Sequence, residues 1–288
     1  MVNELKAKDY ARRFERVFAY IERHLDEPLS VEKLSQVAHF SKFHFHRQFS
    51  QYAGIGVTAY VRLLRLKRAS YQLVFSRARV IDIALEAGFE SPEAFVRAFR
   101  QTFGQSPSQF RTSPNWQPWS ERYQLPPRER NEKMEVQIVD FNETRIALLE
   151  HRGAPELVND SALRFIAWRK ASGLSPVRTS RSFGIVYGDP DTTPADEFRF
   201  DICGEVSGLV PANPQGVTNG MIPGGRCAVT RHLGSHERIG ESIYPLYREW
   251  LPESGEEVRD FSLFFHYLNL FPEVAEHELV TEIYLPLK

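Results

Sequence analysis

The chain has 288 residues, of which 42% are hydrophobic and 12% aromatic. A chain of this length and composition builds about two domains and is too apolar to stay disordered. No run of about 18 apolar residues occurs and the N-terminus is highly charged, so we expect no membrane span or signal peptide, and therefore a cytoplasmic protein. The two cysteines, Cys203 and Cys227, argue against a disulfide scaffold or a thiolate zinc site.

The net charge of −1 conceals an asymmetry between the two halves. Residues 1–130 carry 21 Lys and Arg against 13 Asp and Glu, a net charge of +8, whereas residues 131–288 carry 15 against 24, a net charge of −9. A basic surface attracts polyanions and an acidic one repels them. We therefore expect any nucleic-acid partner to bind the first half.

The first half has the periodicity of α-helices. Apolar residues from Phe14 to Leu25 form one amphipathic stripe, and Ser30 is a candidate N-cap for a short helix that ends at Val37. Ser41 is the candidate N-cap of a further helix that Gly54 ends, and residues 58–75 form a longer helix with a basic face.

A second copy of this pattern follows 50 residues later. Phe45, Arg47, Phe49 and Gly54 correspond to Phe95, Arg97, Phe99 and Gly104. Each copy is typical of two short helices joined by a tight turn, a helix-turn-helix unit. Two such units in an all-α domain can place two recognition helices in successive major grooves without a dimer.

Polar side chains on the two recognition helices are the candidate DNA contacts. An exposed arginine is often merely solvated, but its recurrence in the repeat favours a functional role, since arginine can bind guanine with two hydrogen bonds. The candidate base-reading residues are Phe43, His46 and Arg47 in the first helix and Pro92, Glu93 and Arg97 in the second. The candidate phosphate contacts are Lys42, Arg62, Lys67, Arg68, Arg100 and Arg111.

These motifs resemble a known family. LSVEKLSQVAHFSKFHFHRQF from Leu29 and IDIALEAGFESPEAFVRAFRQTFGQSPSQFR from Ile81 are similar to the double helix-turn-helix domain of AraC/XylS-type transcription regulators, and we assign residues 9–112 to it. The resemblance implies double-stranded promoter DNA and RNA polymerase as partners. Trp, Gln and Arg on the first helix of that family correspond here to Phe43, His46 and Arg47, so the operator sequence does not carry over.

The segment that follows has the composition of a linker. Residues 113–133 contain Pro114, Pro118, Pro126 and Pro127 and show neither a helical nor an alternating period. We predict a proline-rich linker that couples two domains.

The second half, residues 134–288, changes to short segments rich in β-branched and aromatic residues. Strands are predicted at Arg145–His151, Gly184–Tyr187, Phe198–Val206, Cys227–His232, Ser262–Leu268 and Glu278–Pro286, with helices at Asp160–Ser172 and about Ser235–Leu251. Matching segments recur at an offset of 81 or 82 residues, which predicts an α+β domain of two βαββ repeats.

A carboxylate in the last predicted strand is the candidate centre of a ligand pocket. Alternation places Val280, Glu282 and Tyr284 on one face, and a cationic apolar ligand could partner the charge of Glu282. A salt bridge to Arg145 or Arg226 is the structural alternative. The candidate pocket walls, each of which could equally be core, are Tyr187, Trp168, Trp250, Phe265 and Tyr267.

Residues 134–288 also resemble a family, the GyrI-like small-molecule-binding domains. FGIVYGDPDTTPADEFRFDIC from Phe183, GMIPGGRCAVTRHLG from Gly220 and VTEIYLPL from Val280 are the matching stretches, and the pocket glutamate of the family corresponds to Glu282. The combined order of domains is that of Rob-like regulators. It implies a transcription regulator, not an enzyme, whose C-terminal domain binds a small amphipathic or cationic effector.

Two other functions stay open for this domain. It could hydrolyse reactive small molecules with Glu282 as general base, or bind a protein partner while tethered to DNA. Neither metal nor cofactor is expected: His44 and His46 face different sides of a helix, and no phosphate-binding or dinucleotide motif occurs.

Overall fold

The chain divides into two compact units, which meet in sequence between Asn131 and Glu132. The computed structural model describes residues 2–120, 134–190 and 192–288, without the side chains of residues 2–9, Phe43 and Ser120. No helix in these ranges is both long and apolar enough to cross a membrane. Each unit is described by itself below.

The first unit is entirely helical in the part that is described. Its helices are α1 (Val2–Arg23), α2 (Val31–Val37), α3 (Lys42–Ala53), α4 (Val57–Phe75), α5 (Val80–Glu86), α6 (Pro92–Phe103), α7 (Pro107–Thr112) and α8 (Gln117–Ser120). Helices α2 and α3 form the first helix-turn-helix unit, and α5 and α6 form the second. Helix α4 contacts α3, α5, α6 and α7, so it connects the two helix-turn-helix units.

Aromatic packing confirms the 50-residue repeat. Phe49 and Phe99 are fully buried and each contacts a ring of the next helix, Tyr60 of α4 at 5.6 Å and Phe110 of α7 at 5.3 Å between centroids. Edge-to-face and tilted ring pairs stabilise such cores beyond the area they bury. The same aromatic contact therefore closes each helix-turn-helix unit.

Local capping explains where the helices begin and end. The backbone N–H of Lys33 donates to the Ser30 hydroxyl at 3.1 Å, as predicted. Ser41 occupies the N-cap position of α3 but its side chain makes no capping bond. Gly54 and Gly104 end α3 and α6 with φ of 70° and 72°, a left-handed conformation that glycine adopts without a Cβ penalty.

The beginning of the predicted linker packs against the second helix-turn-helix unit. Trp116 is buried and donates from Nε1 to the Ser70 hydroxyl at 3.2 Å, and the buried Trp119 stacks on Phe103 at 5.6 Å. Residues up to 120 therefore belong to the helical unit. The rest of the predicted linker, residues 121–133, lies outside the described residues.

In its described residues the second unit contains one antiparallel sheet of eight strands. They are β1 (Gln137–Phe141), β2 (Thr144–Arg152), β3 (Ser182–Val186), β4 (Arg199–Glu205), β5 (Thr218–Ile222), β6 (Gly225–Leu233), β7 (Phe264–Tyr267) and β8 (Val280–Pro286). Helix α9 (Val158–Ser172) follows β2, and α10 (Gly240–Pro245), a π-helical turn (Leu246–Trp250) and α11 (Leu251–Ser254) follow β6. The predicted α+β class is confirmed.

The predicted βαββ repeat lacks one strand of the observed repeat. Each observed repeat is ββαββ. Its additional first strand, β1 or β5, precedes the strands that the sequence pattern indicates. The sheet order β1-β6-β8-β7-β3-β4-β2-β5 pairs β1 with β6 and β5 with β2, so each leading strand completes the other repeat. Both are short edge strands with mostly exposed residues, which explains why their hydrophobic signal is weak.

The helices cover one face of the sheet. Helix α9 packs on β2 and β4, with Phe165 and Trp168 in the core between them, and α10 packs on β6. The other face carries a second apolar cluster. Within the described ranges, its buried members are all strand residues, such as Phe183 and Phe264. We call this second surface the helix-free face.

In each repeat a buried histidine of the sheet contacts the following helix and the segment before that helix. His151 Nδ1 lies 3.0 Å from the Ser161 hydroxyl and Nε2 lies 3.1 Å from the Ala154 carbonyl. His232 repeats both contacts 81 residues later, with Ser242 at 3.0 Å and the Ser235 carbonyl at 2.9 Å. A carbonyl can only accept, so Nε2 of each ring donates to it. These two histidines have a structural role.

Candidate nucleic-acid interface and small-molecule site

Helix α3 presents the first set of predicted base-reading side chains to solvent. His46 and Arg47 are exposed, one turn after the helix begins. The side chain of Phe43 lies outside the described ones. Early positions of a recognition helix are the ones that reach base edges in the major groove.

Helix α6 presents the second set at equivalent positions. Pro92 is the first helical residue, where its missing N–H leaves no bond unmade, and the Ser91 hydroxyl accepts from the Ala94 N–H at 3.2 Å. Glu93 and Arg97 are exposed. Within the described residues, neither Arg47 nor Arg97 makes a hydrogen bond or an ion pair. Both side chains are exposed to solvent.

Three of the predicted phosphate contacts are also on the surface. Arg62 is exposed, with its guanidinium 5.2 Å from the centre of the Phe89 ring, and Arg100 is exposed on α6. Lys42 is exposed as well, but its ammonium forms an ion pair with Glu32.

The other three contact other parts of the chain, and the burial of Lys67 corrects the prediction for that residue. Lys67 is only 2% exposed, because α4 is packed on several sides. Arg68 forms an ion pair with Asp26, and its own side chain is mostly buried. Arg111 donates from Nε to the Leu73 carbonyl at 3.0 Å and from Nη2 to the Ala78 carbonyl at 2.6 Å.

Arg65, which sequence reasoning left without a role, repeats the arrangement of Arg111. Arg65 of α4 donates from Nε to the Leu25 carbonyl at 2.9 Å and from Nη2 to the Glu27 carbonyl at 2.7 Å, just beyond the end of α1. Burial lowers the pKa of this arginine, with a further contribution from Arg68. Carbonyls after a helix end lack intrahelical donors, so arginine stabilises each helix terminus.

In the second unit, Glu282 lies on the helix-free face within a network of polar side chains. Its Oε1 accepts from Arg231 Nε at 3.2 Å and Nη2 at 3.0 Å, and its Oε2 accepts from the Tyr284 hydroxyl at 2.9 Å. His266 Nδ1 lies 3.4 Å from Oε2. The predicted alternative of a salt bridge holds, but with Arg231 in place of Arg145 or Arg226, and Arg226 pairs with Glu256 at 2.9 Å.

The protonation states in this network follow from burial and contacts. Burial raises the pKa of Glu282, but hydrogen bonds from Tyr284 and Arg231 and the nearby positive charges outweigh it, so the net pKa lies below the ordinary value. Burial lowers the pKa of His266 more than Glu282 raises it. Glu282 is therefore ionised at neutral pH, and His266 is a neutral neighbour.

Strand pairing places this network between two apolar rows. Arg231, Glu282 and His266 are directly opposite one another on β6, β8 and β7. On one side the next row is Val229, Tyr284 and Phe264, in which the last two rings stack at 4.9 Å with planes 8° apart. On the other side it is Leu233, Val280 and Leu268, where the two leucines are 71% and 44% exposed. We call these the aromatic row and the leucine row.

The other repeat carries a second carboxylate at the position that corresponds to Glu282. Asp201 of β4 is fully buried and accepts from Arg199 Nη2 at 2.7 Å and from the Tyr187 hydroxyl at 3.0 Å. The Arg199 guanidinium lies 4.1 Å from the centre of the Tyr187 ring. Burial, and then Asp201, raise the pKa of Tyr187 to about 12, so this hydroxyl remains a donor. Tyr187 thus lies on the predicted face but belongs to this second cluster.

Four predicted pocket walls lie on the opposite side of the sheet, which corrects the prediction. Trp168 packs on Phe165 beneath α9, and Trp250, Phe265 and Tyr267 belong to the core under α10 and the helical turns that follow it. The aromatic residues that accompany Glu282 are Phe264 and Phe183 in place of Phe265 and Tyr267. A shift of one residue along a strand exchanges the two faces of the sheet, and register with β8 is the signal that would have identified Phe264 and His266.

Family comparison decides the assignment of the second unit. A model of the GyrI-like small molecule binding domain matches residues 134–288, more than half of the chain. The chain belongs to the GyrI-like family. A helix-turn-helix domain model matches residues 34–113, and this region is of the AraC type. The GyrI-like protein therefore combines a DNA-binding region with a GyrI-like domain, the architecture of a transcriptional regulator.

Individual proteins are each similar to part of the chain. The chain is 48% identical over 157 residues to "Probable transcriptional regulator YgiV" of Escherichia coli K12, a match that covers 54% of this chain and 98% of that protein. It is 37% identical over 97 residues to "Transcriptional regulator Rob" of Salmonella typhimurium, with 34% of each chain covered. The solved C-terminal domain of EcmrR covers 54% of this chain and 98% of its own, with 16% identity and a TM-score of 0.45.

Proposed function

We propose that this protein is a cytoplasmic transcription regulator that reads promoter DNA with α3 and α6 and contacts RNA polymerase at the promoter. Its second unit binds a cationic, amphipathic small molecule on the helix-free face. The observation that carries the proposal is the position of Glu282, an ionised carboxylate between the aromatic row and the leucine row. A ligand with a positive charge and an apolar body would complement all three rows.

Base reading is assigned to Arg47 and Arg97. Their guanidinium groups are exposed at equivalent positions of the two recognition helices. In a duplex selected from a random library by the wild-type protein, Arg47→Ala and Arg97→Ala each weaken binding by about 1–3 kcal/mol. Arg62→Ala is the matched control, because loss of a phosphate contact weakens binding on every sequence alike. An equal loss on selected and unrelated duplexes for Arg47→Ala or Arg97→Ala would contradict base reading.

Effector binding is tested by thermal unfolding of the full chain. Tetraphenylphosphonium supplies a positive charge with an apolar surface, and tetraphenylborate is an anion of nearly the same shape. A ligand at about 100 times its Kd stabilises the folded state by about 2.7 kcal/mol. We expect stabilisation by the cation that Glu282→Gln abolishes. Stabilisation by the anion alone would contradict the proposed charge of the effector.

A hydrolytic role for Glu282 is less well supported than binding. A general base works best when its pKa is close to the operating pH, whereas contacts with Tyr284 and Arg231 hold the pKa of Glu282 below its ordinary value. We therefore propose that the domain binds its ligand without turning it over. Hydrolysis of a reactive electrophile that Glu282→Gln abolishes would contradict this proposal.

Binding of an effector alters transcription only through a difference in affinity between states. The effector must bind more tightly to the arrangement that is competent for DNA or polymerase, or to the one that is not. Titration of the full chain with labelled duplex, with and without the stabilising ligand, measures this coupling. Unchanged DNA affinity and unchanged transcription in vitro would refute effector control.

A further inference from the structure

Arg231 occupies the carboxylate that the proposed effector would use. Both of its donating nitrogens contact the same oxygen, Oε1 of Glu282, at 3.2 and 3.0 Å. The two partners differ in their surroundings, because the Arg231 side chain is 65% exposed and that of Glu282 is 14% exposed. Within this ion pair the carboxylate is therefore largely buried, whereas the arginine is exposed to solvent.

The carboxylate is held independently of Arg231. Its second oxygen, Oε2, accepts from Tyr284 at 2.9 Å, and the Tyr284 ring is fixed by stacking on Phe264. Arg231, in contrast, is a long side chain that regains rotamer freedom and water contacts when it leaves an exposed ion pair. Departure of Arg231 thus costs little, and Glu282 remains in place to receive another cation.

We propose that Arg231 is an internal counter-ion that a cationic effector displaces from Glu282, and that this exchange sets the affinity threshold and charge selectivity of the site. The inference rests on the proposed effector-binding function. Because one cation replaces another, the largely buried carboxylate is never left unpaired, and the cost of an uncompensated charge is avoided.

Displacement also explains which cations the site accepts. A small hydrated cation gains nothing over the guanidinium that already contacts Glu282. A cation with an apolar body gains additional contact with Leu233 and Leu268, whose side chains are exposed beside the charged row, and with the edge of the aromatic row. The predicted ligand class is therefore organic cations with an apolar surface on at least one side of the charge.

The test is a calorimetric titration of the full chain with tetraphenylphosphonium, and with tetraphenylborate as the anionic control. The variants are Arg231→Gln, which removes the internal cation, and Arg226→Gln, which removes another arginine of β6 that is paired with a different glutamate. Glu282→Gln reports on the carboxylate, and Arg231→Lys keeps the charge but loses the two-nitrogen contact.

We expect Arg231→Gln to bind the cation about fivefold more tightly than wild type, equivalent to about 1 kcal/mol, with Arg231→Lys between the two. Arg226→Gln should match wild type, and Glu282→Gln should bind at least about tenfold more weakly. A gain in affinity is not an effect that misfolding produces, and the melting temperature of each variant checks its fold.

Other results would overturn the inference in distinguishable ways. Equal affinity of wild type and Arg231→Gln, or weaker binding by Arg231→Gln, would refute displacement while leaving the effector-binding proposal intact. Binding of tetraphenylborate that Arg231→Gln abolishes would make Arg231 an anion-binding group and refute displacement. Absence of cation binding in both wild type and Arg231→Gln would refute displacement together with the proposed function.

Discussion

The substitution Arg111→Ala distinguishes a structural role of this arginine from a role in DNA binding. Its guanidinium donates to the carbonyls of Leu73 and Ala78 at 3.0 and 2.6 Å, beyond or near the end of α4. A hydrogen bond from a charged donor contributes about 1.5–3 kcal/mol, and partial exposure of this side chain lowers the sum, so Arg111→Ala should destabilise the helical unit by about 2–4 kcal/mol. For a unit of this size that lowers the melting temperature by about 8–15 °C.

The assay combines thermal unfolding with the salt dependence of binding to a non-specific duplex. Each phosphate contact contributes about 0.9 to the slope of log Kobs against log salt concentration. Below its melting temperature, Arg111→Ala should keep the wild-type slope, whereas Arg100→Ala, on the exposed face of α6, should lower the slope by about 0.9 with little change in stability. A lower slope in Arg111→Ala at unchanged melting temperature would refute the structural assignment and restore the phosphate contact.

Three further substitutions test other parts of the structure. His39 has φ of 53° at the position where the second helix-turn-helix unit has Gly88. His39→Gly should therefore stabilise the protein by about 0.5–1 kcal/mol in urea unfolding, and destabilisation would contradict strain at this position. Gly184→Ala should destabilise by about 1–3 kcal/mol, because the new Cβ would lie 2.5 Å from the Phe200 ring. Folding lowers the pKa values of both His266 and Glu282. The free energy of unfolding therefore decreases as pH falls, below about pH 6.5 through His266 and below about pH 4.5 through Glu282. Calorimetry should show that Glu282→Gln loses less stability at acidic pH than wild type does. An equal loss would contradict the assignment of this pH dependence to Glu282.

Features set by a few neighbouring residues were predictable from the sequence. The 50-residue repeat, the Ser30 cap and the Gly54 and Gly104 helix ends depend on local backbone geometry, and the structure has all of them. Both domain types were recognised as well, since their motifs are contiguous in sequence.

The basic residues of α4 show why composition was insufficient for the DNA interface. Arg62, Arg65, Lys67 and Arg68 all read as one basic helical face. Helix α4 packs against both helix-turn-helix units, so only part of that face reaches solvent, and Arg62 is exposed while Lys67 is buried. Burial of a given side chain depends on contacts distant in sequence, and the periodicity of one helix does not contain them.

The partners of Glu282 at the proposed effector site depended on tertiary structure for a related reason. The sequence by itself determined that Glu282 lies in a strand with Tyr284 on the same face, because strand alternation is local. It did not determine that Arg231, His266 and Phe264 share that face, since strand register links residues up to 51 positions apart and a shift of one residue reverses the face. Chain-local geometry therefore specified the carboxylate, and only the pairing of β6, β7 and β8 decided its partners.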